Sequence, residues 1–143
     1  MTVAETIERA VDFLFANRER IQDEGLRTCD RDTAGLALTF HAVHNQLRLE
    51  WHAGAVVGLG IAWRDDAERL RAATAKGEEM FQWEPGNPHG DCIYLGLFVS
   101  TERGVAARLA RYFRAKFPRL PELAHRRGRL ISRPWLATYC QHP

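Results

Sequence analysis

Seven consecutive residues with no polar alternation, Ile93-Tyr94-Leu95-Gly96-Leu97-Phe98-Val99, most constrain what this chain can fold into. A strand with one face in water alternates apolar and polar side chains, so an unbroken apolar run reads as a strand covered on both faces, at the centre of a sheet. It feeds Ser100-Thr101-Glu102-Arg103-Gly104 and then a segment of helical spacing, Val105 to Phe117, studded with arginine. The first N–H groups of a helix have no partner inside it. A strand, a polar turn and a helix in succession therefore make an anion seat of the kind that receives nucleotide or coenzyme phosphates.

The rest of the chain reads around that core. Thr2 with Glu5 forms a capping box, and Val3, Ile7, Ala10, Val11, Leu14 and Ile21 recur at helical spacing, which predicts a helix over about 3–23 stopped near Gly25. Asp30 and Asp32 are N-caps for a second helix through Leu36, Ala37, Phe40 and Val43, although Leu36 to Phe40 also fits a strand. Leu47, Leu49 and Trp51 alternate with Arg48 and Glu50, the turn His52-Ala53-Gly54-Ala55 follows, and Val57, Leu59, Ile61 and Trp63 alternate with small residues. This is a β-hairpin, in which Gly58 and Gly60 imply a close backbone neighbour or a bulge. Asp65 with Glu68 caps a helix ending at Lys76-Gly77. Met80 to Trp83 reads as a short strand, Glu84 to Asp91 as a loop, and Arg129 to Ser132 as a last strand before a tail with Trp135 and Tyr139.

The 143 residues, 45% hydrophobic and 27% charged, fit one globular α/β domain with a single core. No apolar run reaches the length of a membrane span and the N-terminus lacks a signal-peptide pattern, so a cytoplasmic location is expected. Cys29, Cys92 and Cys140 are far apart with no paired spacing, and read as reduced thiols. Charge divides unevenly: residues 1–102 carry ten Lys/Arg against seventeen Asp/Glu, whereas residues 103–143 carry ten Lys/Arg against Glu122 alone. Such a division suits an anionic partner for the C-terminal third, whether coenzyme phosphates, an acidic carrier protein, nucleic acid or the acidic half of a second copy.

The order of elements resembles the GNAT-type acyltransferases, through Gly54-Ala55-Val56-Val57-Gly58 and Val99-Ser100-Thr101-Glu102-Arg103-Gly104. Within that superfamily the chain is most similar to the toxin-activating lysine acyltransferases of RTX haemolysins. Ala62-Trp63, Glu68-Arg69-Leu70, Gly90-Asp91 and Tyr112-Phe113-Arg114-Ala115-Lys116-Phe117-Pro118 carry this likeness, over about residues 46–118. The resemblance implies an α+β fold with a mixed, mostly antiparallel sheet flanked by helices. It also implies transfer of an acyl group from acyl-CoA or the phosphopantetheine of an acyl-carrier protein to an amine, with the donor phosphates near Val99, Thr101, Arg103, Gly104, Val105 and Arg108. The family's catalytic aspartate aligns with Leu97, and its N-terminal catalytic histidine falls near Arg20 or Ile21. Its Arg/Gln-x-x-Gly-x-Gly/Ala loop is matched only at Arg103-Gly104. An inactive relative of the same design, binding a second copy or another protein, is the alternative.

Chemistry that survives these departures would sit in the loop before the central strand, where His89 has the pKa range of a general base and Asp91 or Glu84 could orient it. His41 and His44 share a helical face, with His52 nearby, but no fourth ligand or metalloprotease signature accompanies them and no metal is expected. His125 and His142 carry no specific pattern. His125-Arg126-Arg127-Gly128-Arg129 with Arg133 and Trp135 is a weak nucleic-acid patch, beside no recognised binding motif.

Overall fold

A computed structural model describes residues 1–21, 24–78, 85–126 and 128–132. The fold is mixed α and β. Helix α1 (Val3–Ala16), a 3-10 turn (Arg18–Arg20), α2 (Glu24–Thr28) and α3 (Arg31–Val43) precede a hairpin of β1 (Leu47–His52) and β2 (Ala55–Asp65). There follow α4 (Ala67–Ala75), β3 (Cys92–Ser100), α5 (Val105–Lys116), β4 (Glu122–Arg126) and β5 (Arg129–Ser132). The strands form one sheet in the order β1-β2-β3-β4-β5, antiparallel throughout except for the β3/β4 pair.

The apolar run is the central strand, and its two faces are covered by different helices. Leu59, Ile61, Trp63, Tyr94, Leu97 and Val99 pack with residues of α1, α3 and α4, while Ala62, Ile93 and Leu95 pack with Phe113 of α5. The parity change between Leu95 and Leu97 comes from a bulge: Ala62 pairs with Leu95 and Ile61 with Leu97, which leaves Gly96 as an extra residue on β3. A second irregularity places Val57 outside the β1/β2 ladder, beside Val105 and Leu109.

Gly58 and Gly60 do answer a close neighbour, but it is side chain rather than backbone. A Cβ on Gly58 would lie 2.2 Å from Val105 Cγ1, and one on Gly60 2.9 Å from Phe98 Cε1 and 3.2 Å from Phe113 Cε2. With Ala62 these glycines form a groove of small residues into which α5 settles.

Several local expectations are corrected. The first helix stops at Ala16, where Asn17 Nδ2 donates to the Phe13 carbonyl at 2.8 Å, and Gly25 lies inside α2 rather than ending a helix. Thr2 and Glu5 form the expected capping box, and Asp30 caps α3 through Thr33 N–H at 2.7 Å. Residues 36–40 are helical, not strand. The α4 cap is not Asp65: Asp91 Oδ1 accepts the Ala67 N–H at 2.8 Å, because the Asp65 carboxylate is turned inward to the Trp63 indole. Arg114 does not face water freely. Its guanidinium grips buried Glu122 at 2.5 and 3.2 Å, so the one acid of the basic third is consumed in holding α5 to β4. The suggested strand at 80–83 lies outside the described residues.

Candidate functional site

Strand β4 pairs with β3 only at Ile93↔Glu122 and Tyr94↔Leu123. From Leu95 to Ser100 no described strand runs along that edge of β3, so among the described residues β3 and β4 part as a fork beside the Gly96 bulge, on the way to the start of α5. Parallel strands joined by a crossover helix normally share a longer ladder, and the fork is what this chain builds instead.

At the end of the fork the strand, turn and helix follow one another as the sequence suggests. Gly104 is the N-cap of α5 with φ +84°, a left-handed conformation that glycine adopts without a Cβ penalty, and no side chain caps the helix. The Val105 N–H reaches the Glu102 carbonyl only at 3.4 Å, and the first regular bond runs from Arg108 N–H to Gly104 O at 3.1 Å. Among the described residues the N–H groups of Ala106 and Ala107 have no partner. No acid occupies the first turn. Instead the exposed Arg108 folds back, its Nη1 3.9 Å from where a Gly104 Cβ would be. Arg103 is exposed beside it, and Arg20 Nη1 donates to the Ser100 carbonyl at 2.8 Å. A cation over the positive end of a helix is electrostatically unfavourable unless an anion joins it. The neighbouring acid, Glu102, is already bonded to His52 Nδ1 at 2.8 Å.

Of the residues expected to hold donor phosphates, Arg103, Gly104 and Arg108 are the ones at the surface of this seat. The Val99 and Val105 side chains are core, and Thr101 is spent on the Val57 carbonyl through its N–H at 3.0 Å and hydroxyl at 3.3 Å. Leu97, aligned with the family's aspartate, is buried among apolar side chains. Arg20, aligned near the family's histidine, does lie at the end of β3.

The suggested acid-base loop is elsewhere. His89 and Asp91 enter β3 at its start, and nine extended residues, about 30 Å, separate them from the α5 seat. The His89 ring is exposed, Asp91 is engaged with α4, and no hydrogen bond joins the two. The loop is rigidly placed nonetheless. A Cβ on Gly90 would lie 2.2 Å from the Asp65 carbonyl, Arg64 Nε donates to the Gly90 carbonyl at 2.5 Å, and Asn87 Nδ2 donates to Asp66 at 2.9 Å. Glu84 lies outside the described residues, as do Trp83, Trp135 and Tyr139, the aromatic side chains that could fill the fork.

Cys92, His41 and His44 are held in packing contacts. Cys92 is buried, and burial with three nearby aspartates pushes its thiol up to about 12, far from a nucleophile's range. His41 is enclosed, bonded to Gln46 Oε1 at 2.7 Å and stacked on Trp63, while His44 lies against Phe40. Among the described residues no group of three or more His, Cys, Asp or Glu is placed to hold a metal, and no helix is long and apolar enough to cross a membrane. A groove of about 680 Å³ is remote from α5: it lies between α1 and α3, lined by Val3, Ile7, Val11, Gly35 and Leu36. No protein-family model matches the sequence, and no curated protein matches it.

Proposed function

We propose that this protein is an N-acyltransferase-like protein of GNAT type that seats the phosphate of an acyl donor, acyl-CoA or the phosphopantetheine of an acyl-carrier protein, at the start of α5. The observation that carries this reading is a concentration of positive charge there that no described acid answers. Two bare N–H groups, the positive end of a twelve-residue helix and the Arg108 guanidinium converge at Gly104 with no acid in the first turn. A phosphate would accept from Ala106 and Ala107 and pair with Arg108 and Arg103. The donor's arm would then run along the edge of β3 past the half-exposed Gly96, where no described strand pairs with the backbone.

This placement favours donor binding over a reaction at His89. With Leu97 apolar and His89 and Asp91 about a strand length away, transfer to an amine would need a base other than His89 or Asp91. Coenzyme A, added at a hundred times its dissociation constant, is expected to stabilise the fold by about 2.7 kcal/mol. That raises Tm by roughly 5 to 10 °C for a chain of this size. Arg103→Ala/Arg108→Ala should abolish most of the rise while leaving the unliganded Tm within about 2 °C, because both side chains are exposed. Absence of any rise with coenzyme A, acyl-CoA and acyl-carrier protein alike would defeat the reading.

The groove between α1 and α3 favours the second reading, a module that binds another copy of itself. Val3 and Leu36, 73% and 63% exposed, stand in it, with Glu8, Asp32 and Arg31 at its rim. Both signs of charge around an apolar centre suit a surface that meets itself across a two-fold axis. Sedimentation should then show a dimer that Leu36→Asp converts to monomer; a wild-type monomer at high concentration removes this reading.

A further inference from the structure

We propose that Tyr94, His125 and Thr74 form a proton-operated latch at the vertex of the fork, closed while the His125 ring is neutral and released when the ring takes a second proton. The proposal does not depend on what the α5 seat binds. It begins with the position of the contacts. The backbone ladder between β3 and β4 ends at Tyr94↔Leu123, and the next β4 side chain on that face of the sheet is His125. Its Nδ1 lies 2.6 Å from Tyr94 Oη and its Nε2 2.6 Å from Thr74 Oγ1. The ring therefore continues with side chains the connection that the backbone abandons, and it adds α4 to it.

The direction of each hydrogen bond follows from one fixed donor. Thr74 Oγ1 also lies 2.7 Å from the Leu70 carbonyl, which can only accept, so the hydroxyl proton points there. Thr74 must then accept from His125, which places the ring proton on Nε2. A neutral imidazole with a proton on Nε2 has a lone pair on Nδ1, so the Tyr94 hydroxyl donates to it. The chain thus runs one way: Tyr94 O–H to Nδ1, Nε2–H to Thr74 Oγ1, and Thr74 O–H to the Leu70 carbonyl.

A second ring proton breaks this order. It would sit on Nδ1 and oblige the Tyr94 hydroxyl to turn from donor to acceptor, and the cost that opens the latch is the resulting cation, half-buried between β3, β4 and α4. Among the described residues no charged group is hydrogen-bonded to the ring. From β3 the ring meets Tyr94, from α4 Thr74, and in register on β5 Leu130. The nearby charges are committed elsewhere: Arg69 of α4 to Asp65, and Glu122 of β4 to Arg114 on the opposite face of the sheet. Burial alone lowers the ring's pKa from its ordinary value of 6.5. Because the folded value lies below the unfolded one, the latch contributes fully above about 6.5 and its contribution is lost as pH falls through the lowered folded value. Mild acid should therefore loosen β4 and β5 from β3 before the rest of the sheet.

Two measurements test this on the intact chain. In the wild type, nitrogen chemical shifts of the His125 ring at neutral pH should report the proton on Nε2; a proton on Nδ1 would overturn the proposal without any variant. Hydrogen exchange, corrected for intrinsic rates, should show protection of the β4 and β5 amides falling severalfold relative to β2 between pH 7.5 and 5. In His125→Gln that relative protection should be lower at neutral pH and no longer change with pH. An unchanged ratio in the wild type, or the same pH dependence in His125→Gln, would overturn the latch, the latter by moving the titration to another group.

Discussion

Asp65→Ala is expected to lower stability by about 3 to 4 kcal/mol, on the order of a 10 °C fall in Tm. The carboxylate is fully buried at the end of β2 and ties that strand to α4. Oδ2 accepts from the Trp63 indole at 2.8 Å, Oδ1 accepts from Arg69 Nε and from the Asp66 N–H at 2.8 Å each, and Arg69 also closes an ion pair on Oδ2. Removing one partner of a buried pair costs about 3 to 5 kcal/mol when the other charge is left buried. Arg69 is 39% exposed and can turn to water, so that full penalty does not apply. The larger share comes from taking the acceptor away from the Trp63 N–H in the core, together with the cavity. Asp65→Asn should cost less, since the amide keeps the volume but offers one accepting oxygen instead of two. Denaturant unfolding measures both; a loss below about 1 kcal/mol for the alanine variant would show that this hub is not what holds the α4 junction.

Asp65 also shows where sequence reading stops. The Asp65-x-x-Glu68 spacing favours an N-cap, and only the burial of Trp63 beside it turns the carboxylate inward while Asp91, twenty-four positions from Ala67, supplies the cap. Short-range patterns were legible: the apolar central strand, the β1/β2 hairpin, the Thr2/Glu5 capping box and the arginine-rich α5 all follow from residues within a few positions of each other. Strand β4 was not. Glu122-Leu-Ala-His-Arg has two apolar residues and follows Pro121, and it becomes a strand through pairing with Ile93, Tyr94 and β5. Arg114 reads as solvent-facing by helical spacing because its partner Glu122 lies beyond the helix. His125 carries no local signal at all, since Tyr94 and Thr74 are thirty-one and fifty-one positions away. The uncapped helix start at Gly104 was legible because strand, turn and helix are contiguous. The distance between that helix start and His89 follows only once β3 is seen as fully extended between them.

Gly58→Val should be nearly as damaging, about 3 kcal/mol, and its cause can be isolated. A Cβ there would lie 2.2 Å from Val105 Cγ1 and 3.4 Å from Leu109 Cδ1, in a cluster whose members are buried on both sides. Neither strand nor helix has room to yield locally, since Gly58 is paired with Glu50 on one side and Ser100 on the other. Relief therefore has to come from α5 lifting off the sheet at its first residue. If the clash is the mechanism, trimming the other partner should relieve it. Val105→Ala alone costs about 1 to 2 kcal/mol by leaving a void, but Gly58→Ala combined with Val105→Ala should be more stable than the sum of the two single losses by at least about 1 kcal/mol. Strict additivity would indicate that Gly58 is required for some reason other than the close seating of α5. Because Val105 directly follows Gly104, the same displacement moves the bare amides and Arg108. Gly58→Val should accordingly lose the coenzyme-dependent rise in Tm, and Gly58→Ala with Val105→Ala should regain part of it.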